Sequence, residues 1–267
     1  MTGGSSGGGP AIDPTRGETA AHQPILVVQH AEREGLGLLA PALARHGLAV
    51  RTVRTDRREP VPRSAAPASG VIILGGPMGV YEADRYPHLA DEIALAADAL
   101  LRDVPILGVC LGSQILAAAA GARVYPGPAQ EIGWFPITLT DAGRRDPVLG
   151  VFPPEAIVFH WHGDTFDLPR GATLLASSRL YANQSFRLGT RAYGVQFHPE
   201  VTAGMLDEWL EAGTPETSAC GAGDVERLRS QTRDFALPLA GHLAAMVRGF
   251  LSVGGLSASG ASPPTSA

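Results

Sequence analysis

The chain reads as an α/β protein: an open, mostly parallel sheet with helices on both faces. Three observations predict this. Short apolar runs alternate with helix-length segments from residue 25 onward. The runs are rich in branched residues and too short to be helices. The 267 residues are 45% hydrophobic and 18% charged, an ordinary globular balance, and a length that one α/β domain of roughly 200–250 residues fills with a sizeable core.

Taken in order, Ile25 to Val28 is the first strand. Leu38 to His46 has helical spacing and stops at Gly47, a suitable residue just past a helix end. Leu48 to Val53 alternates apolar with polar and forms the second strand. Arg54 to Ser69 is charged and proline-rich, hence loop. Val71 to Leu74 is the third strand, ending at Gly75-Gly76-Pro77. Leu89 to Leu101 is a helix, Val104 to Val109 the fourth strand, and Leu111 to Ala120 a helix closed by Gly121. Later strands are expected at Trp134 to Thr140, Ile157 to Trp161, Thr173 to Ala176 and Ala192 to Phe197. Asp224 to Leu251 carries helical signals that Pro238 is expected to interrupt.

These elements place one domain at residues 23–253, with its core at 24–212 and a helical segment at 224–251. Residues 1–22 and 254–267 are Gly/Ser-rich and read as disordered ends. The net charge of −5 and a pI near 5.9 give no basic footprint for nucleic acid. No uninterrupted apolar run has the length to span a bilayer, and the Gly/Ser-rich start lacks the charged and apolar regions of a signal peptide. The expectation is a cytoplasmic protein without membrane contact. There a conspicuous cysteine is catalytic or buried rather than disulfide-bonded.

Cys110 is conspicuous. Gly108-Val109-Cys110-Leu111-Gly112 lies between an apolar strand and a helix, the setting of a nucleophile elbow. Glycine is 33 of 267 residues, so glycines at both of these flanks arise by chance for only about 1–2% of cysteines. The turn lifts the thiol clear of the sheet, and the helix N-terminus favours its thiolate. Cys220 has no elbow and no nearby base and reads as inert.

A thiolate nucleophile needs a proton carrier. Phe197-His198-Pro199-Glu200 follows an apolar strand, where open α/β sheets carry their chemistry. His198 can move protons near neutral pH, and Glu200 can orient its ring and stabilise the imidazolium. Attack on an amide also creates an oxyanion that needs donors. The elbow supplies the Leu111 N–H. At the other strand end Pro77 has no N–H, so Gly76 is the expected second donor, with Gly75 permitting the backbone angles that aim it.

Together, Gly75-Gly76-Pro77, the Gly108 to Gln114 segment and Gln196-Phe197-His198-Pro199-Glu200 resemble the class I glutamine amidotransferases in order and spacing. The resemblance covers about residues 24–212. It looks closest to free-standing relatives of the GMP synthase glutaminase domain, a subgroup that His162-Gly163-Asp164 supports. It implies a flavodoxin-like fold, no cofactor, and a glutaminase with the triad Cys110, His198 and Glu200. It further implies that Gln114 contacts the substrate and that Trp161, His162 and Gly163 line the pocket. Trp161 stands where relatives often carry Ser.

His160, His162, His198 and Cys110 could be grouped as metal ligands, but a metal on Cys110 would quench the nucleophile; no metal is expected. Glu131 is expected at a loop-to-strand entry, or at the mouth of the pocket. The ATP-pyrophosphatase domain of GMP synthase has no counterpart here, and no GxxxxGK[ST] pattern occurs. Three readings follow. The chain hydrolyses glutamine or another small γ-glutamyl compound by itself, it is a glutaminase subunit feeding ammonia to a separate synthetase, or it is a non-catalytic partner-binding pseudoenzyme.

Overall fold

The computed structural model describes residues 23–213 and 221–256. The readings of residues 1–22, of Cys220 and of the last eleven residues lie outside the described residues. Nine strands form one sheet in the order β2-β1-β3-β4-β9-β8-β7-β5-β6. Five of them run parallel: β2 (Val50–Arg54), β1 (Ile25–Gln29), β3 (Gly70–Ile73), β4 (Ile106–Val109) and β9 (Ala192–Val195). The other four continue the sheet antiparallel: β8 (Ser185–Leu188), β7 (Thr173–Ser178), β5 (Val124–Leu139) and β6 (Glu155–Phe166). The α/β expectation holds, with the parallel pairing confined to the half that begins the chain and ends at β9.

The parallel strands are apolar on both faces because helices cover both. On one face Ile25, Val27, Ile72 and Leu74 join Leu39 and Leu43 of α1 (Leu39–Ala44), Leu206 of α5 (Ala203–Glu211) and Leu243 and Phe250 of α6 (Ala222–Gly254). On the other, Leu26, Val28, Val71 and Ile106 join Leu89 and Leu95 of α2 (His88–Leu101) and Ile115 and Leu116 of α3 (Leu111–Ala119). The odd and even positions of β1 thus serve different layers, as the two-residue period of a strand requires.

Four expectations need correction. First, β5 is longer than foreseen because Pro126, Gly127 and Pro128 lie within it. The strand accommodates them with a register shift between Pro126 and Glu131, as bulges do. Second, β8 and the short helix α4 (Asp141–Arg145) were not foreseen; four or five residues make too brief a pattern to stand out.

Third, Pro238 does not interrupt α6, which runs unbroken through it. A mid-helix proline costs about 3 kcal/mol. Leu239, Leu243, Met246 and Phe250 are all buried along the same helix, at about 1.5–3 kcal/mol each, so tertiary packing outweighs it. Fourth, α6 is long and apolar enough by length and composition to cross a bilayer, although no continuous apolar run shows in it; its buried stripe faces the sheet, and Trp134 Nε1 of β5 donates to Thr232 Oγ1 at 2.8 Å. The helix also outlasts the expected domain edge: it ends at Gly254, and Leu256 turns back to donate to the Leu251 carbonyl and is buried.

Candidate active site

Cys110 links β4 to α3 with φ 50° and ψ −109°, one of three non-glycine residues with positive φ among those described. This strain is the mark of an elbow. The flanking glycines are there for room: a Cβ on Gly108 would run into the backbone of Gly112, and one on Gly112 into the Ile73 carbonyl. Backbone hydrogen bonds stitch the elbow to its neighbours. Cys110 N–H donates to the Val195 carbonyl at the end of β9 (2.8 Å), and Gly112 N–H to the Leu74 carbonyl after β3 (3.2 Å).

His198 lies three residues beyond β9. Its N–H donates to the Phe159 carbonyl of β6 at 2.7 Å, which ties this turn to the antiparallel half. Its Nδ1 is 2.7 Å from Glu200 Oε1, and both side chains are buried. Trp209 of α5 packs edge-on against the ring, 4.9 Å between centroids. Burial opposes charge on His198, but the Glu200 carboxylate and the Cys110 sulfur overturn that and lift its pKa well above the ordinary histidine value. With Nδ1 engaged by Glu200, Nε2 is the nitrogen left for proton transfer.

The Gly75-Gly76 turn faces this group. A Cβ on Gly75 would come within 2.9 Å of His198 Cε1 and 3.7 Å of Cys110 Cβ. Neither glycine has a left-handed φ, so the expected backbone latitude of Gly75 is not used; closeness to the triad is what excludes a side chain. Among the described residues the N–H groups of Gly76 and Leu111 have no protein acceptor.

A cleft of about 410 Å³ opens beside Cys110. The sequence-predicted residues Gly76, Cys110, Leu111, Gln114, Trp161, His162, Gly163 and His198 all line it; Glu200 lies behind His198. Gln114 Nε2 donates to Gln196 Oε1 at 3.1 Å, and Gln196 Nε2 lies 3.6 Å from Cys110 Sγ. The Trp161 carbonyl is 3.8 Å from the same sulfur.

Several lining residues escaped the sequence reading: Arg33, Glu34, Met78, Tyr81, Glu82 and Trp209. They come from loops after β1 and β3 and from α5, where no motif marks them. Burial raises the Glu34 carboxyl pKa, against the pull of His198 and His30. Gln196 was within reach, since it opens the His198 motif.

Glu131 is not at the pocket mouth. It is buried within β5 and gathers a polar cluster behind the pocket wall. His160 Nδ1 and His162 Nε2 lie 3.2 and 3.3 Å from its Oε2, while Ser178 Oγ and Gln184 Nε2 donate to it at 2.9 and 2.7 Å. Burial alone would raise this carboxyl; the hydrogen bonds from His160 and His162 hold it far below the usual carboxylate range. Burial keeps the His160 pKa low. The two histidines grouped with Cys110 in the sequence therefore belong with Glu131, and the ligand atoms of these three residues lie within 4.8 Å of one another.

Known proteins bear on this geometry. The family model for class I glutamine amidotransferases matches residues 36–212. The chain is 32% identical over 192 residues to the glutamine amidotransferase-like protein YfeJ of Salmonella typhimurium, covering 71% of this chain and 80% of that protein. It is 32% identical over 197 residues to the glutamine-hydrolysing GMP synthase of Porphyromonas gingivalis, covering 67% of this chain but 36% of the synthase. Among solved structures, a glutamine amidotransferase from Thermotoga maritima superposes with a TM-score of 0.77 at 36% identity, covering 86% of this chain and 98% of the other. One from Methylobacillus flagellatus superposes with a TM-score of 0.75 at 29% identity, covering 85% and 95%. The fold, the strained cysteine at its elbow and these likenesses agree: the chain belongs to the class I glutamine amidotransferase family.

Proposed function

We propose that this protein hydrolyses the γ-amide of glutamine or of a γ-glutamyl compound through a thioester on Cys110. The observation that carries the reading is the meeting, in one cleft, of a strained Cys110 with the buried His198–Glu200 pair. Cys110 Sγ attacks the amide carbon, and the carbonyl oxygen becomes an oxyanion facing the N–H groups of Gly76 and Leu111. The C–N bond breaks as His198 Nε2 gives its proton to the leaving amine. Water then attacks the thioester, His198 takes the water's proton, and the second tetrahedral adduct expels the Cys110 thiolate and γ-carboxylate product. Glu200 holds the ring and its charge throughout. Gln114, Trp161, His162 and Gly163 bind the glutamyl portion. None of these steps calls on a cofactor, and a reducing compartment such as the cytoplasm suits the free thiol.

A substrate panel tests this: glutamine against γ-glutamyl amines and peptides, with Cys110→Ala as the blank. An electrophilic glutamine analogue should label Cys110, read by mass spectrometry of the modified peptide. Labelling at Cys220 instead, or full activity in Cys110→Ala, would sink the assignment.

A second reading has one observation in its favour. The glutaminase-type GMP synthase subunit from Natronomonas pharaonis, described as glutamine-hydrolysing, is 34% identical over 142 residues, covering 52% of this chain and 70% of that protein. Under this reading the chain feeds ammonia to a separate synthetase. Purified protein that is folded but inert, and gains activity only when a second protein is added, would replace the first reading with this one. The complete triad geometry favours either over a non-catalytic partner-binding role.

A further inference from the structure

The proposed hydrolysis leaves one buried chain of titratable groups unused. His30 follows β1 directly and is fully buried. Its Nδ1 lies 2.8 Å from the Gly75 carbonyl, and its Nε2 lies 2.8 Å from Glu92 Oε2. Glu92 is also fully buried, and its Oε1 lies 2.8 Å from Nδ1 of His88, one turn earlier on α2. Three side chains from two elements thus converge on one backbone carbonyl.

From this geometry we infer that His30 is a positioning residue, which clamps the Gly75 carbonyl and thereby aims the Gly76 N–H at the oxyanion; the inference rests on the hydrolase reading above. The physical link is the planar trans peptide, whose C=O and N–H point in opposite directions. Holding the Gly75 oxygen against His30 fixes where the Gly76 hydrogen points. Rotating that peptide would strip a buried ring N–H and a buried carbonyl of their partners at once.

The ring's protonation follows from its neighbours. Both contacts are acceptors, a carbonyl oxygen and a carboxylate, so both nitrogens donate and the ring is an imidazolium. A charged donor on the Gly75 oxygen also polarises the peptide and makes the Gly76 N–H a stronger donor. Burial disfavours charge on His30, but Glu92 and the Gly75 carbonyl raise its pKa above the usual value. Space tightens the arrangement: a Cβ on Gly76 would lie 2.9 Å from His30 Cβ and 2.7 Å from Leu111 Cδ2.

The test compares His30→Leu, which cannot donate, with His30→Asn, whose amide nitrogen can take the place of Nδ1. Melting curves establish folding. Three readouts follow. For hydrolysis, His30→Leu should lower kcat by about 10–100-fold, part of the worth of one oxyanion donor, with KM moving less than threefold. An aldehyde analogue of glutamine forms a thiohemiacetal that needs the same donors, so its affinity should weaken in parallel. Alkylation of Cys110 by iodoacetamide creates no oxyanion and should change by less than twofold. His30→Asn should recover most of the lost kcat.

If His30→Leu does not fold, His30→Gln takes its place, because that longer amide reaches Glu92 but not the Gly75 carbonyl. A folded His30→Leu with wild-type kcat and aldehyde affinity overturns the clamp, as do equal rates in the Asn and Gln variants. A wild-type protein that leaves every γ-glutamyl compound intact overturns the hydrolase reading and the clamp together.

Discussion

The two halves of the sheet meet at the cleft but contribute in different ways. In the parallel half the key groups stand just past strand ends: His30 after β1, Gly75 and Gly76 after β3, Cys110 after β4 and His198 after β9. The strands themselves are apolar and packed on both faces. In the antiparallel half the polar groups stand within strands, with Glu131 in β5 paired in register with His162 in β6. A polar group at a strand end can reach a substrate, whereas one inside a strand must be satisfied by its neighbours. The parallel half is therefore built for chemistry, and the antiparallel half for a rigid wall behind it.

If that division holds, substitutions in the parallel half should act on kcat. The largest effect is expected from Cys110→Ala, which should abolish turnover at unchanged melting temperature. His198→Ala should be nearly as severe, because triad members act as a unit; Glu200→Gln should cost less, since it orients rather than reacts. Comparable rates for the wild type and His198→Ala would break the assignment of chemistry to this half.

Gly76→Val comes next. Its side chain would press on Leu111 and His30 and turn the N–H away, lowering kcat by about 10²–10³-fold while KM moves less. Wild-type kcat in that variant would put the second donor elsewhere.

In the antiparallel half Glu131→Gln should act mainly on stability. It weakens contacts to His160, His162, Ser178 and Gln184, for a loss of about 2–3 kcal/mol by urea unfolding, and KM should rise more than kcat falls. A larger fall in kcat than rise in KM would erase the distinction between wall and chemistry.

The two halves should also differ in pH response. His198 and His30 have pKa values raised on folding. Each contributes stability that is fully present below the unfolded histidine value, about 6.5, and is lost as pH rises through the folded value. Glu131 and His160 are shifted down. Glu131 adds stability above its unfolded pKa of about 4.3 that is lost as pH falls through the folded value, and His160 weakens the fold as pH falls below about 6.5. Melting temperature should decline on both sides of neutrality. His30→Asn should flatten the alkaline decline and Glu131→Gln the acid one; the reverse pairing would contradict the contrast.

The smallest effect is expected from Trp161→Ser. Trp161 lines the cleft and packs on Trp209, 5.6 Å between centroids. The change should shift preference among γ-glutamyl substrates by a few-fold and leave Cys110 alkylation unaltered.

Much of this was legible in the chain. The rhythm of β1, α1, β2, β3, α2, β4 and α3 could be read because each apolar run is long enough to show its period. The elbow and the His198-Pro199-Glu200 turn were legible because tight turns and proton carriers restrict residue types locally. β8 and α4 were too short to show, the prolines of β5 imitated a loop, and Pro238 imitated a break.

The sequence by itself determined the α/β class, the elbow and the identity of the candidate triad, since these depend on residues close together in the chain. Only the tertiary structure decided which distant groups meet. His30 lies 62 residues from Glu92 and 45 from Gly75, and Glu131 lies 53 from Gln184. No local pattern encodes such pairings, because a buried polar side chain is satisfied by whatever partner the fold brings to it. The sequence supplied donors and acceptors, and packing chose among them.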